Sequence, residues 1–108
     1  MITQKKCIPC QGGILPLNKS EINHFIEELN SDWKVYKSKE IRREYIFKTY
    51  KEAMIFVNNV AELAEDEGHH PFIHINYKKV LIILFTHKIN GLHENDFILA
   101  YKCDLLYK

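Results

Sequence analysis

The chain has 108 residues, of which 46% are hydrophobic and 27% charged, and its formal net charge is +1. This is the composition of one globular domain, 1–108, with enough apolar residues for a core of its own and few to spare. The near-zero charge argues against bulk binding to nucleic acid or anionic lipid, and the longest apolar run, Val80–Phe85, is strand-sized rather than membrane-sized.

Residues 1–17 contain Pro9, Gly12, Gly13 and Pro16 and read as an irregular N-terminal arm. Met1–Lys6 has no apolar signal core behind it, which points to a cytoplasmic protein. Three cysteines, an odd number, fit reduced thiols. Cys7 and Cys10 form a CxxC pair. One such pair is half of a structural zinc site, Cys103 is a poor further ligand, and the strand-before, helix-after context of a redox motif is missing. The arm therefore reads as a structural strap.

Asn18-x-x-Glu21 resembles a capping box, and Ile22, Phe25, Ile26 and Leu29 behind it fall on one helical face. Asn30-Ser31-Asp32 ends that helix. Trp33–Tyr36 and Ile41–Phe47 read as strands around the polar turn 37–40. The second strand sets Ile41, Arg43, Tyr45 and Phe47 on one side against Arg42, Glu44, Ile46 and Lys48 on the other. Thr49-x-x-Glu52 opens a second helix whose apolar stripe is Ala53, Phe56, Val57, Val60, Ala61 and Ala64, with Gly68 as its terminator. A second hairpin, 72–76 and 79–86, turns at Tyr77-Lys78. A last helix runs from about His93 to Leu106. His93 is a poor cap for it, so its first turn is expected to fray.

Val80–Phe85 is apolar on both faces instead of alternating. One face is expected to pack on the helices and the other to need a second subunit. The order α-β-β-α-β-β-α predicts an α+β domain: a four-stranded antiparallel sheet with helices on one face.

The chemistry concentrates at Glu65-Asp66-Glu67-Gly68-His69-His70-Pro71 and at His87. Adjacent histidines just past a helix end sit where the helix dipole favours an imidazolium. Pro71 stops the helix and biases His70 toward an extended backbone. Glu65 and His69 are four apart, so Glu65 lies one turn below the pair and is placed to orient an imidazole. A metal site built from Glu65, His69, His70 and His87 is the enzymatic rival. It is disfavoured because adjacent side chains on an extended backbone point apart. His24, His74 and His93 read as surface or structural residues, and His74 as solvent-facing.

The full spacing Glu65-x3-His69-His70-Pro71-x5-Tyr77-x9-His87-x8-Asp96 resembles the signature of the pterin-4a-carbinolamine dehydratases. Asp32-Trp33-Lys34-Val35, 41–47, 60–65, Thr86-His87 and Gly91-Leu92 extend the resemblance over about 5–106. It implies loss of water from a 4a-hydroxytetrahydropterin, giving the quinonoid dihydropterin and serving tetrahydrobiopterin recycling. No metal, nucleotide or other cofactor takes part. By the same resemblance His69 and His87 are the acid–base pair and His70 binds and positions the pterin. Glu65 supports the cluster. Asp96 orients a partner or caps a helix, and Trp33 either stacks on the pterin or packs in the core. The implied partners are the pterin substrate, further copies in a homodimer or homotetramer, and a pterin-dependent aromatic amino acid hydroxylase. The alternative is a non-enzymatic dimerisation or assembly cofactor that binds a protein partner, as some family members are. The presence of all three histidines favours the enzyme.

Overall fold

In the computed structural model, which describes residues 14–107, the elements follow the expected order. They are α1 (Lys19–Ile26), β1 (Lys34–Tyr36), β2 (Glu40–Ile46), α2 (Tyr50–Glu67), β3 (Phe72–Asn76), β4 (Lys79–Leu84) and α3 (Glu94–Leu106), with a 3-10 turn at His87–Ile89. All strand pairs are antiparallel, in the spatial order β1-β2-β4-β3. Cys7 and Cys10 lie outside the described residues. Cys103 is fully buried in α3.

Local signals set most boundaries. Asn18 Oδ1 accepts from the Glu21 amide at 2.9 Å and Glu21 returns the bond to the Asn18 amide at 2.9 Å, which closes the capping box of α1. Thr49 Oγ1 accepts from the Glu52 amide at 3.1 Å at the start of α2. Gly68 ends α2 in the left-handed region, φ +66°, a conformation that a side chain disfavours. At the start of α3, His93 is a working cap rather than a frayed end. Its Nδ1 accepts from the Asn95 amide at 2.9 Å, because an unprotonated imidazole nitrogen can stand in for a serine oxygen.

One sheet face carries the helices. Ile41 and Tyr45 of β2 and Val80, Ile82 and Leu84 of β4 are fully buried there beneath Phe56, Val60, Phe97, Leu99 and Ala100. The opposite face of β4 is less open than its two-sided sequence suggests. Ile83 is 7% exposed within one chain, and the register sets it between Arg42 and Phe72.

Arg43 is the exception on the buried face, and its partner is distant in sequence. Asp104, in the last turn of α3, receives Arg43 Nη1 at 2.8 Å, the Trp33 indole N–H at 3.0 and 3.1 Å, and the Tyr45 hydroxyl. Asp32 adds a contact to Arg43 Nη2 at 3.4 Å. Trp33 is thereby fixed in the core, edge-on to Tyr45. Burial first, and then the hydrogen bond and charge of Asp104, push the Tyr45 hydroxyl well above its ordinary range.

A phenol with a raised folded-state pKa contributes stability that is complete below its unfolded value near 10 and is lost as the pH climbs from there toward the folded value. Stability should therefore fall above about pH 10, by up to ~1.4 kcal/mol per pH unit from this group. Tyr45→Phe should cost about 1 kcal/mol at neutral pH and remove that alkaline slope. Denaturant titrations of both proteins at several pH values check it.

Candidate active site

The end of α2 and the end of β4 converge on a cavity of about 500 Å³ whose wall includes His69, His70, His87, Phe72, Phe85 and Asn95. Two histidines arrive from the α2 terminus and the third from the 3-10 turn after β4. All three that the sequence singled out are brought together. A groove of about 630 Å³ lies along Phe47, Ile55 and Tyr107 and holds Lys48 and Glu52 but no imidazole. The three imidazoles therefore make the smaller cavity the candidate site.

The two adjacent histidines are held differently. His69 is 13% exposed, and its Nε2 lies 2.6 Å from Oδ1 of the fully buried Asp96. Asp96 Oδ2 accepts from the Thr86 hydroxyl at 2.8 Å and from the His93 amide at 2.9 Å. One carboxylate thus caps α3, fixes the residue before His87 and backs His69. Sequence reasoning left orientation and capping as alternatives for Asp96, and it does both. A charged acceptor near a helix N-terminus is also where the dipole favours it.

His70 and Glu65 pair with each other, and both are exposed, at 60% and 76%. The carboxylate one turn below does orient an imidazole, but that of His70 rather than His69. Left-handed Gly68 turns the chain so that the five-apart residue comes round to it. His87 is exposed and meets the Phe85 ring edge-on at 6.3 Å. Its turn is pinned at both ends. The Thr86 amide donates to the Gly91 carbonyl at 2.8 Å, and Asn90 takes a left-handed conformation, φ +51°. The Leu17 amide donates to the Leu92 carbonyl at 2.8 Å, and a Cβ on Gly91 would come within 2.6 Å of the Pro16 side chain. The arm next to α1 therefore packs directly on the loop that carries His87.

Trp33 is not on this wall; it is one of the donors to Asp104. Tyr77 sits in the β3–β4 hairpin with φ +56°, stacked on Tyr50. Among the wall residues that sequence reading missed are Phe72, Phe85, Lys88 and Asn95. The two phenylalanines were hidden in apolar strands, and Asn95 carried no signal beyond its place at a helix start.

The model for the family described as Pterin 4 alpha carbinolamine dehydratase matches residues 15–106. The chain belongs to that family. It is 48% identical over 103 residues to a protein of Alkaliphilus metalliredigens named, by inference, a pterin-4-alpha-carbinolamine dehydratase, covering 95% of this chain and 93% of that one. A Rickettsia bellii protein with the same name is 45% identical over 105 residues, 97% of this chain and 93% of the relative. Among solved structures, a transcriptional coactivator/pterin dehydratase from Brucella melitensis superposes with a TM-score of 0.80 at 32% identity, over 86% of this chain and 99% of the other. A pterin dehydratase-like RuBisCO assembly factor of the alpha-carboxysome shares the fold, with a TM-score of 0.61 at 24% identity, over 71% of this chain and 90% of the other.

Asp96→Ala should cost about 2–4 kcal/mol, because the Thr86 hydroxyl and His93 amide lose their acceptor in a buried setting. Asp96→Asn keeps an acceptor oxygen and should cost less than half of that. Equilibrium unfolding in urea distinguishes the two.

Proposed function

We propose that this protein is a 4a-hydroxytetrahydropterin dehydratase acting by histidine acid–base catalysis in tetrahydrobiopterin recycling. The observation that carries the reading is the convergence of His69, His70 and His87 on one cavity, each held by a different device, in a chain of the dehydratase family.

The reaction is an elimination. A base removes the N5 proton, the electron pair becomes the N5–C4a double bond, and the C4a–O bond breaks. The departing oxygen takes a proton from an acid and leaves as water. One group must accept a proton while another supplies one, and imidazole suits both tasks near neutral pH. His69 and His87 take these roles, one on each side of the carbinolamine. Asp96 holds His69 in a fixed ring orientation, while His87 stays accessible to solvent for proton exchange. His70, tied to exposed Glu65, binds and positions the pterin. No step uses Trp33, whose indole N–H is committed to Asp104.

The function is tested by assaying dehydration with purified protein before and after exhaustive chelation. Activity should survive. Loss on chelation with recovery on adding zinc would transfer the histidines to a metal centre. In the same assay His69→Ala and His87→Ala should each lower turnover by ~10²–10⁴-fold, and His70→Ala should mainly raise KM. If His69 and His87 act as one proton-transfer unit, the double variant should lose little beyond the worse single one. An inactive His70→Ala at saturating substrate beside an active His69→Ala would reverse the assignment.

The competing reading, an assembly or dimerisation cofactor, predicts no turnover and unchanged partner binding in the histidine variants. For the assembly itself we propose a homodimer or homotetramer. Ile75 and Tyr77, in and beside edge strand β3, are 44% and 64% exposed, more apolar surface than an isolated strand edge tolerates well. Sedimentation at micromolar concentration should show no substantial monomer; a well-folded monomer would refute it.

A further inference from the structure

Phe72 and Phe85 give the cavity a feature that proton transfer does not require. Phe72 opens β3, and its register partner is Ile83 of β4. Phe85, two residues after Ile83, returns to the same side of the sheet. The two rings stack at 5.5 Å with an interplanar angle of 23°, and Phe85 also meets His87 edge-on. Both rings line the cavity, and Phe72 is 55% exposed. A large aromatic side chain left half in water at the mouth of a cavity gains by covering its face, and flat apolar groups are its best cover.

We infer that the Phe72–Phe85 pair is the specificity-determining wall of the site, selecting pterins whose C6 substituent is uncharged over those whose C6 substituent is charged. The inference rests on the dehydratase reading above and goes on to name the substrate class. In a pterin, N5 is bonded to C6, so the C6 substituent begins one bond from the reacting edge. The side of the cavity behind His69 is closed by buried Asp96. A ring with its N5–C4a edge between the imidazoles must therefore direct this substituent toward the open side, where the stacked phenylalanines lie. Two phenyl rings desolvate a charged group and return no hydrogen bond to it, whereas a methyl or methylene gains contact. Lys88 also lines the cavity. An anionic substituent in the test therefore sets its attraction against the aromatic wall.

The experiment measures kcat and KM for two substrates, 4a-hydroxy-6-methyltetrahydropterin and the analogue with a carboxylate on its C6 substituent. The proteins are wild type, Phe72→Ser, Phe85→Ser and, as a variant that stays apolar but loses the ring, Phe72→Leu. Wild type should show the lower KM for the 6-methyl substrate. Each serine variant should raise that KM by ~3–10-fold, leave kcat within about twofold and narrow the KM ratio between substrates, with Phe72→Leu falling between. Four results would overturn the inference while leaving the dehydratase reading in place. They are a wild-type preference for the carboxylate, a KM ratio that does not move in any variant, a loss confined to kcat, and variants that dissociate in sedimentation while keeping the wild-type ratio. A wild-type protein that dehydrates neither substrate overturns the dehydratase reading and the inference together.

Discussion

The carboxylate of Asp96 is the constraint on which the site depends. It is fully buried, and its bonds reach three parts of the chain: the residue after Gly68, the residue before His87 and the first turn of α3. An unpaired buried carboxylate is expensive, so these donors are obliged to meet it. The convergence of His69 and His87 on one cavity therefore has a thermodynamic cause. Separating the α2 terminus from the β4 terminus would leave a charge without its partners.

The far end of α3 repeats the arrangement with an opposite electrostatic setting. Asp104 lies in the last turn, where the helix dipole disfavours a negative charge. Arg43 offsets that penalty directly, and the Trp33 and Tyr45 donors complete the shell. Between the two carboxylates α3 is buried almost all round: Phe97, Ile98, Leu99, Ala100 and Cys103 are each at most 2% exposed. A helix with no solvated face gains little orientation from amphipathicity. Its two anchored aspartates set its rotation and depth, one toward the histidine-lined cavity and the other toward β2.

These anchors explain what was legible in the sequence. Capping boxes, the glycine stop and period-two strands are local, and they gave the element order and the antiparallel sheet. The histidine spacing gave the cavity. Arg43 stood out among the apolar residues of β2, but its partner is 61 residues away, and nothing local in the sequence points from one to the other. Helical spacing placed Glu65 one turn below the histidine pair without choosing between them, and beyond the left-handed turn at Gly68 it meets His70. His93 looked like a weak cap because propensities are averaged over imidazole states, whereas an unprotonated Nδ1 facing an amide is a good acceptor. Trp33 was open between pterin and core, and the burial of its ring beside Asp104 places it in the core.

The unequal support of the adjacent histidines follows from the same geometry. Asp96 draws His69 inward, whereas His70 stays exposed. The outward imidazole then meets the carboxylate of exposed Glu65. An exposed pair of this kind holds its geometry weakly and adds little stability. The inward pair cannot adjust without breaking the cap of α3. One dipeptide therefore supplies a buried, anchored imidazole and an exposed, loosely held one.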